Sequence, residues 1–346
     1  MEGERLPYPL MQLPEAMTEG AAAQPQPLLE PFLRNPLMWI GFGVPFLIHT
    51  FNAVASYRSG VSAISLVSAS LPLFRHTVSL QVTVNYLVLG LAYLINTGVA
   101  FSMWFFFLLA QVQVAAYTLL GVSSSVQLDS CSYRGPVASI MSHQALGAMF
   151  VLVAGGLWSA RVHLREVARQ AWRGGGDSAE RELVSYRTAV VTLAVGLIAM
   201  AAWLGASGLP LWATVLFLAG AFTVYLALTR VIVEAGLVTA IQGLTGAGFL
   251  LSGVGSSALG AKGLLGLGFT MPWAGDHMSF LMAPVANCVR LLQGVPGRRR
   301  IALSLAGAIA VGLVVSVGTT VVLAYRHGAA TLEGQYFSWF AQEPFR

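Results

Sequence analysis

Long apolar stretches alternate with short polar ones along the chain, and most of the apolar stretches are long enough to cross a bilayer. They lie at 36–56, 82–122, 138–160, 188–206, 210–229, 231–292 and 301–324. A helix rises about 1.5 Å per residue, so about 20 residues cross the roughly 30 Å hydrocarbon layer. The 82–122 run has 41 residues, about twice that need. Asn96, Thr97 and Gly98 supply a turn near its middle, because Gly relaxes the backbone while Asn and Thr hydrogen-bond it locally. The 231–292 run holds two further segments. The pattern predicts an all-α protein, a polytopic transmembrane helical bundle of about seven to nine membrane segments.

The polar intervals complete this organisation. Residues 1–35, rich in Glu and Pro, read as a cytoplasmic amino-terminal arm without the basic start and apolar core of a cleavable signal. Residues 36–324 form the transmembrane domain, and 325–346 a tail. In the basic loop 161–187, "WSARVHLREVARQAWR" spaces Arg161, Arg165 and Arg169 four apart, on one face of a helix leaving the membrane. That face suits topological anchoring and attraction to anionic headgroups. With this loop inside and strict alternation of spans, thirteen of the 19 Lys and Arg residues lie inside and six outside. The bias puts the amino terminus inside and the carboxyl terminus outside a bacterial cytoplasmic membrane.

Composition narrows the function classes. Charged residues make up 10% of the chain and hydrophobic ones 56%, whereas soluble domains carry about 25% charge. The net charge of +5 resides in the loops and does not form a nucleic-acid-binding surface. Cys131 and Cys288 fall on opposite faces under this topology, which predicts two free thiols. Neither H-E-x-x-H, G-x-S-x-G nor C-x-x-C occurs, and "GAKGLLG" lacks the order of a phosphate-wrapping loop. No enzyme activity, metal or cofactor is expected.

Candidate chemistry concentrates in 229–277. Residues 243–268 hold nine glycines in 26 positions. Such density serves either close helix packing or broken and re-entrant helices within 231–292 whose freed backbone lines a cavity. Arg230 and Glu234 are i, i+4, within pairing distance on a helix. They form either an interfacial ion pair anchoring a helix start or a proton- or substrate-binding site. In the second reading Glu234 takes up and releases the proton, and Gly236, Gly243 and Gly246 leave backbone open to a ligand. Asp276 and His277 are either solvated loop residues or part of the same substrate or proton site. His49, Asn52, Asn85, Asn96, Gln111, Gln113 and Gln144 suit hydrogen bonding between helices.

Six blocks carry a resemblance: "ERLPYPLMQLPEAMT" (4–18), "NPLMWIGFGVPFLI" (35–48), "AFSMWFFFLL" (100–109), "SYR" (185–187), "TRVIVEAGL" (229–237) and "LAYRHGAATL" (323–332). In order along nearly the whole chain, they resemble large uncharacterised bacterial membrane proteins related to the oligopeptide transporter superfamily. The resemblance implies proton-coupled transport of a peptide-like or metal-chelate solute, with Arg230 and Glu234 in the coupling region. Such proteins usually run to about twice this length, so the chain is expected to correspond to their carboxyl-terminal part. Self-association as a homo-oligomer, or a second membrane subunit, would supply the missing helices. The rival expectation is a structural membrane subunit that transports nothing.

Overall fold

The computed structural model describes residues 8–18, 31–58, 60–64, 68–123, 137–173, 184–238, 240–270, 274, 280–292 and 298–328. The fold is an all-α helical bundle in which, among the described residues, six helices are long and apolar enough to cross a membrane. These are α3 (Pro36–Tyr57), α5 (Thr97–Leu119), α6 (Ala138–Ser159), α8 (Tyr186–Ala206), α9 (Leu211–Ala235) and α13 (Arg298–His327). Local chemistry sets their ends. Asn35 caps α3 through the Leu37 N–H at 2.9 Å, and Pro36 occupies the first turn, where a missing N–H costs nothing. Asn96 caps α5 through the Gly98 N–H, and Ser185 caps α8 through the Thr188 N–H. Gly236, at φ 67° and ψ 32°, ends α9 in the left-handed conformation.

Two regions depart from the sequence pattern. The 82–122 run does not contain two spans. Its first part is the end of a strand followed by α4 (Tyr86–Ala92), 7 residues and about 10 Å long; the chain then turns at 93–95, and of the expected turn residues Asn96 caps α5 while Thr97 and Gly98 begin it. Upstream, β1 (Ser68–Leu73) pairs antiparallel with β2 (Val78–Thr83), with Ser68 opposite Thr83 and Leu73 opposite Val78. Alternation puts Ala69, Leu71, Leu73, Val78, Leu80 and Val82 on one face of this hairpin. The second departure is at 230. α9 continues unbroken to Ala235, so Arg230 and Glu234 occupy the end of a helix and not the start of a new one.

The 231–292 region is broken, as one reading of its glycines required. It contains α10 (Gly246–Val254), α11 (Ser256–Gly268) and α12 (Met282–Leu291), of 9, 13 and 10 residues. Gly255 (φ 86°, ψ 153°) separates α10 from α11, and Gly260 (φ 64°, ψ 173°) kinks α11. The close-packing reading holds as well. A Cβ on Gly220 would sit 2.6 Å from Phe249 Cδ1, and one on Gly266 2.9 Å from the Ser207 carbonyl oxygen.

The core is built around α9, which packs against α6, α8, α10 and α12. Phe217, Ala213, Leu204 and Leu250 form one buried cluster, and Val224, Leu228, Leu146 and Leu244 a second. Of the expected interhelical hydrogen bonds, the Gln113–Gln144 pair joins α5 to α6, with Gln113 Nε2 donating to Gln144 Oε1 at 2.6 Å. Asn52 instead grips both backbone groups of Ile64, and Asn85 caps α4. Cys288 is a free thiol. Cys131 and parts of the arm, the basic loop and the tail lie outside the described residues.

Candidate functional site beside the carboxyl-terminal half of α9

Near the end of α9, Arg230 Nε lies 3.6 Å from Glu234 Oε2, one helical turn away. That is an ionic contact beyond hydrogen-bond range. The side chains are 31% and 47% exposed. A Cβ at Gly156 of α6 would fall 2.5 Å from Arg230 Nη1, so this glycine makes room for the guanidinium. Glu234 is therefore accessible, with its charge offset by Arg230.

The amino-terminal segment closes this end of α9. A short 3₁₀ turn at Pro9–Met11 packs against α9 and α12. A Cβ on Gly236 would meet Pro9 Cβ at 2.8 Å. Tyr8 is buried at 4% exposure, and the Arg290 guanidinium lies 5.8 Å from its ring centroid.

Past Gly236 the chain turns back along α9, and the described residues of this return form no helix until Gly246. Gln242, Gly243, Leu244 and Thr245 in this stretch are buried. Leu244 packs with Val224, Leu228 and Leu146. The Thr245 hydroxyl then caps α10 by accepting from the Gly248 N–H at 3.0 Å. A Cβ on Gly246 would touch Ala221 Cβ at 3.0 Å, so α10 begins beside the middle of α9. From there the chain runs toward the start of α9, where α11 meets the Ser207–Leu209 turn.

α12 starts at a similar level and leaves in the opposite direction. Phe280, just ahead of it, stacks on Tyr225 of α9 with centroids 5.6 Å apart, while Arg290 at its far end reaches Tyr8. Two half-length helices thus place their amino-terminal, electropositive ends near mid-α9.

Two buried polar atoms here have no hydrogen-bond partner among the described residues: Gln242 Nε2 and Asn287 Oδ1. Gln242 falls between Gly236 and Leu244, and Asn287 between Phe280 and Arg290. Both therefore flank the Val224–Gly236 stretch of α9. Leaving such a group unpaired costs about 1–3 kcal/mol, so each position calls for a partner such as water or a solute.

Of the residues singled out from sequence, Arg230, Glu234 and Gly236 lie at the end of α9, Gly243 is buried in the return, and Gly246 packs on Ala221 nearer the middle of α9. Asp276 and His277 lie outside the described residues. Gln242, Asn287, Gly156 and Tyr8 were missed. Gln242 carried a usable signal, as a lone amide in the apolar run "VTAIQGLTG". A separate groove of 530 Å³ runs between α8 and Phe222 of α9, lined by Thr188, Thr192, Gly196 and Met200. It does not include these polar residues.

The chain belongs to the family of unknown function DUF6785, whose model matches residues 1–346. No curated protein and no solved structure matches it. The match to DUF6785 takes in α9, the non-helical return and both half-helices, so the candidate site lies wholly inside the family domain.

Proposed function

We propose that this protein is a secondary transporter, or half of one, in a bacterial cytoplasmic membrane, moving a small peptide-like or metal-chelate solute in step with protons. The observation that carries this reading is the buried, non-helical stretch Gln242–Thr245 of the return after α9, with the unpaired Gln242 amide in it. At membrane depth, backbone that forgoes helical hydrogen bonds is tolerated only where protein buries it or water reaches it. Half-helix ends beside such backbone are where transporters bind charged solutes.

In the proposed mechanism Glu234 is the proton carrier. Its protonation would dissolve the ionic contact with Arg230 and free the guanidinium for a solute anion. The amino-terminal end of α10 attracts a carboxylate, and Gln242 Nε2 can donate to it. Asn287 Oδ1 accepts from an amine or amide N–H. A second copy or a second membrane subunit completes the translocation path.

The test is uptake of alanylalanine or iron citrate into proteoliposomes under an imposed pH gradient. Glu234→Gln should abolish the pH-driven component while the protein remains inserted. Undiminished uptake would remove Glu234 from the mechanism.

One observation favours a structural subunit instead: no residue of the most apolar stretch of α3 or of α13 is buried among the described residues, which leaves wide faces for lipid or another subunit. A Gln242→Cys variant separates the readings. A water-soluble thiol reagent should modify it in a transporter and leave it untouched in a scaffold.

A further inference from the structure

α7 (Arg161–Arg173) follows α6 after a single residue, Ala160. Its two sides differ. One side rests on α8, with the His163 ring edge-on to Tyr186 at 6.1 Å and Glu166, Val167, Gln170 and Ala171 half-buried. Arg161, Arg165, Arg169 and Arg173 are all exposed, and the helical period sets them on one arc of the other side. The single carboxylate of the helix, Glu166, is taken up locally by Arg169 at 2.7 Å and Gln170 at 2.8 Å. Arg161 is tied back to the span, donating to the Trp158 carbonyl oxygen at 2.9 Å with its guanidinium 4.9 Å from the Trp158 ring centroid.

Two apolar residues interrupt the basic arc. Trp172 is 93% exposed and Val162 71%. By helical angle Trp172 falls between Arg161 and Arg165, and Val162 between Arg169 and Arg173. Contact with water alone leaves an indole on such a face unrewarded. The headgroup layer rewards both features at once, because it attracts Arg to lipid phosphate and is where Trp concentrates. α6 delivers α7 to the edge of the hydrocarbon, so this layer is the surface that the face meets first.

We propose that the Arg161–Arg165–Arg169–Arg173 face of α7, with Trp172 inserted among the arginines, is a binding surface for anionic phospholipid. The other side of α7 holds the helix against α8, so the face is presented as a fixed strip. Bound anionic lipid would press α7 onto the bilayer and, through α8, onto α9. The proposal is independent of any transport activity. It requires only that α6 crosses the membrane.

The experiment uses the full chain in nanodiscs of pure phosphatidylcholine or with phosphatidylglycerol added, followed by native mass spectrometry of the lipids retained on gentle release. The wild type should retain phosphatidylglycerol over phosphatidylcholine. Replacing Arg165, Arg169 and Arg173 with Gln should weaken retention about fivefold per arginine, while Arg→Lys at the same positions should hold it within about twofold. Trp172 fluorescence, read as the difference between wild type and Trp172→Phe, should shift to the blue and be quenched by brominated phosphatidylglycerol. Unchanged selectivity in the Gln variant would overturn the proposal. So would a Trp172 signal that ignores lipid charge, or an acidic protein that occupies the face in neutral lipid.

Discussion

α9 and α13 are both long apolar helices and occupy opposite situations. Half of the most apolar stretch of α9 is buried in protein, and none of that of α13. Glycine alone does not separate them, for α13 has Gly307, Gly312 and Gly318, and a Cβ on any of them would meet nothing within 4 Å. α9 instead alternates small residues with partners cut to fit them: Gly220 receives Phe249, and Ala221 receives Gly246. On α13 the valines at 311, 314, 315 and 317 face outward. Lipid tails are as apolar as leucine, so helix association in a bilayer comes from close packing and polar contacts. Hydropathy assigned both helices to the membrane, and only α9 acquired the neighbours from which a site can be made.

The sharpest way to break this comparison is to fill matched glycines. In Gly266→Val the new side chain would strike backbone, with the Ser207 carbonyl oxygen at 2.9 Å and the Leu209 nitrogen at 3.2 Å from its Cβ, and backbone cannot swing aside. Overpacking of this kind costs about 1–3 kcal/mol, and the upper part of that range is expected here. Gly312→Val should cost almost nothing. Thermal melts of the two variants in one detergent check this. Equal losses would mean that α13 is packed against something in the purified protein.

Gln242→Leu sharpens the comparison within α9's own surroundings. If the 237–245 return is dry, removing an unpaired buried amide relieves its desolvation cost, and the variant should melt higher by about 1 kcal/mol or more. If the return lines a wetted path, the gain should be absent, and uptake should fall because the donor to the solute is gone. The melt and the uptake assay together decide between a cavity and a packing defect.

The sequence disclosed these regions unevenly. Six spans were legible because an apolar run of bilayer length has few other uses, and the Arg230–Glu234 pairing followed from i, i+4 spacing. The place of that pair did not. Nothing in "LALTRVIVEAG" marks 230 as interior, and only the left-handed Gly236 shows where the helix stops. The β1–β2 hairpin left a trace in Val78, Leu80 and Val82 alternating with Ser79, Gln81 and Thr83, but the apolar run starting at 82 masked it. Asn287 was not legible, because its isolation depends on Phe280 and Arg290 fixing α12 against α9, a tertiary fact.

The smallest expected effect concerns α7, whose local order depends on charge where that of α9 depends on packing. Hydrogen bonds from Gln170 and Arg169 hold the Glu166 carboxyl below its ordinary range. A lowered carboxylate contributes order that is fully present above its ordinary pKa and is lost as pH falls through the lowered value. Glu166 keeps 40% of its side chain in contact with solvent, which screens the pair, so the contribution is slight. Amide exchange of the 161–173 segment, compared between wild type and Glu166→Gln at each pH, isolates it. The wild type should be better protected at neutral pH, and the two should converge in acid once Glu166 is protonated. A difference that persisted in acid would show that the side chain acts through its shape and not its charge, and α7 would then owe its order, like α9, to its packing neighbours.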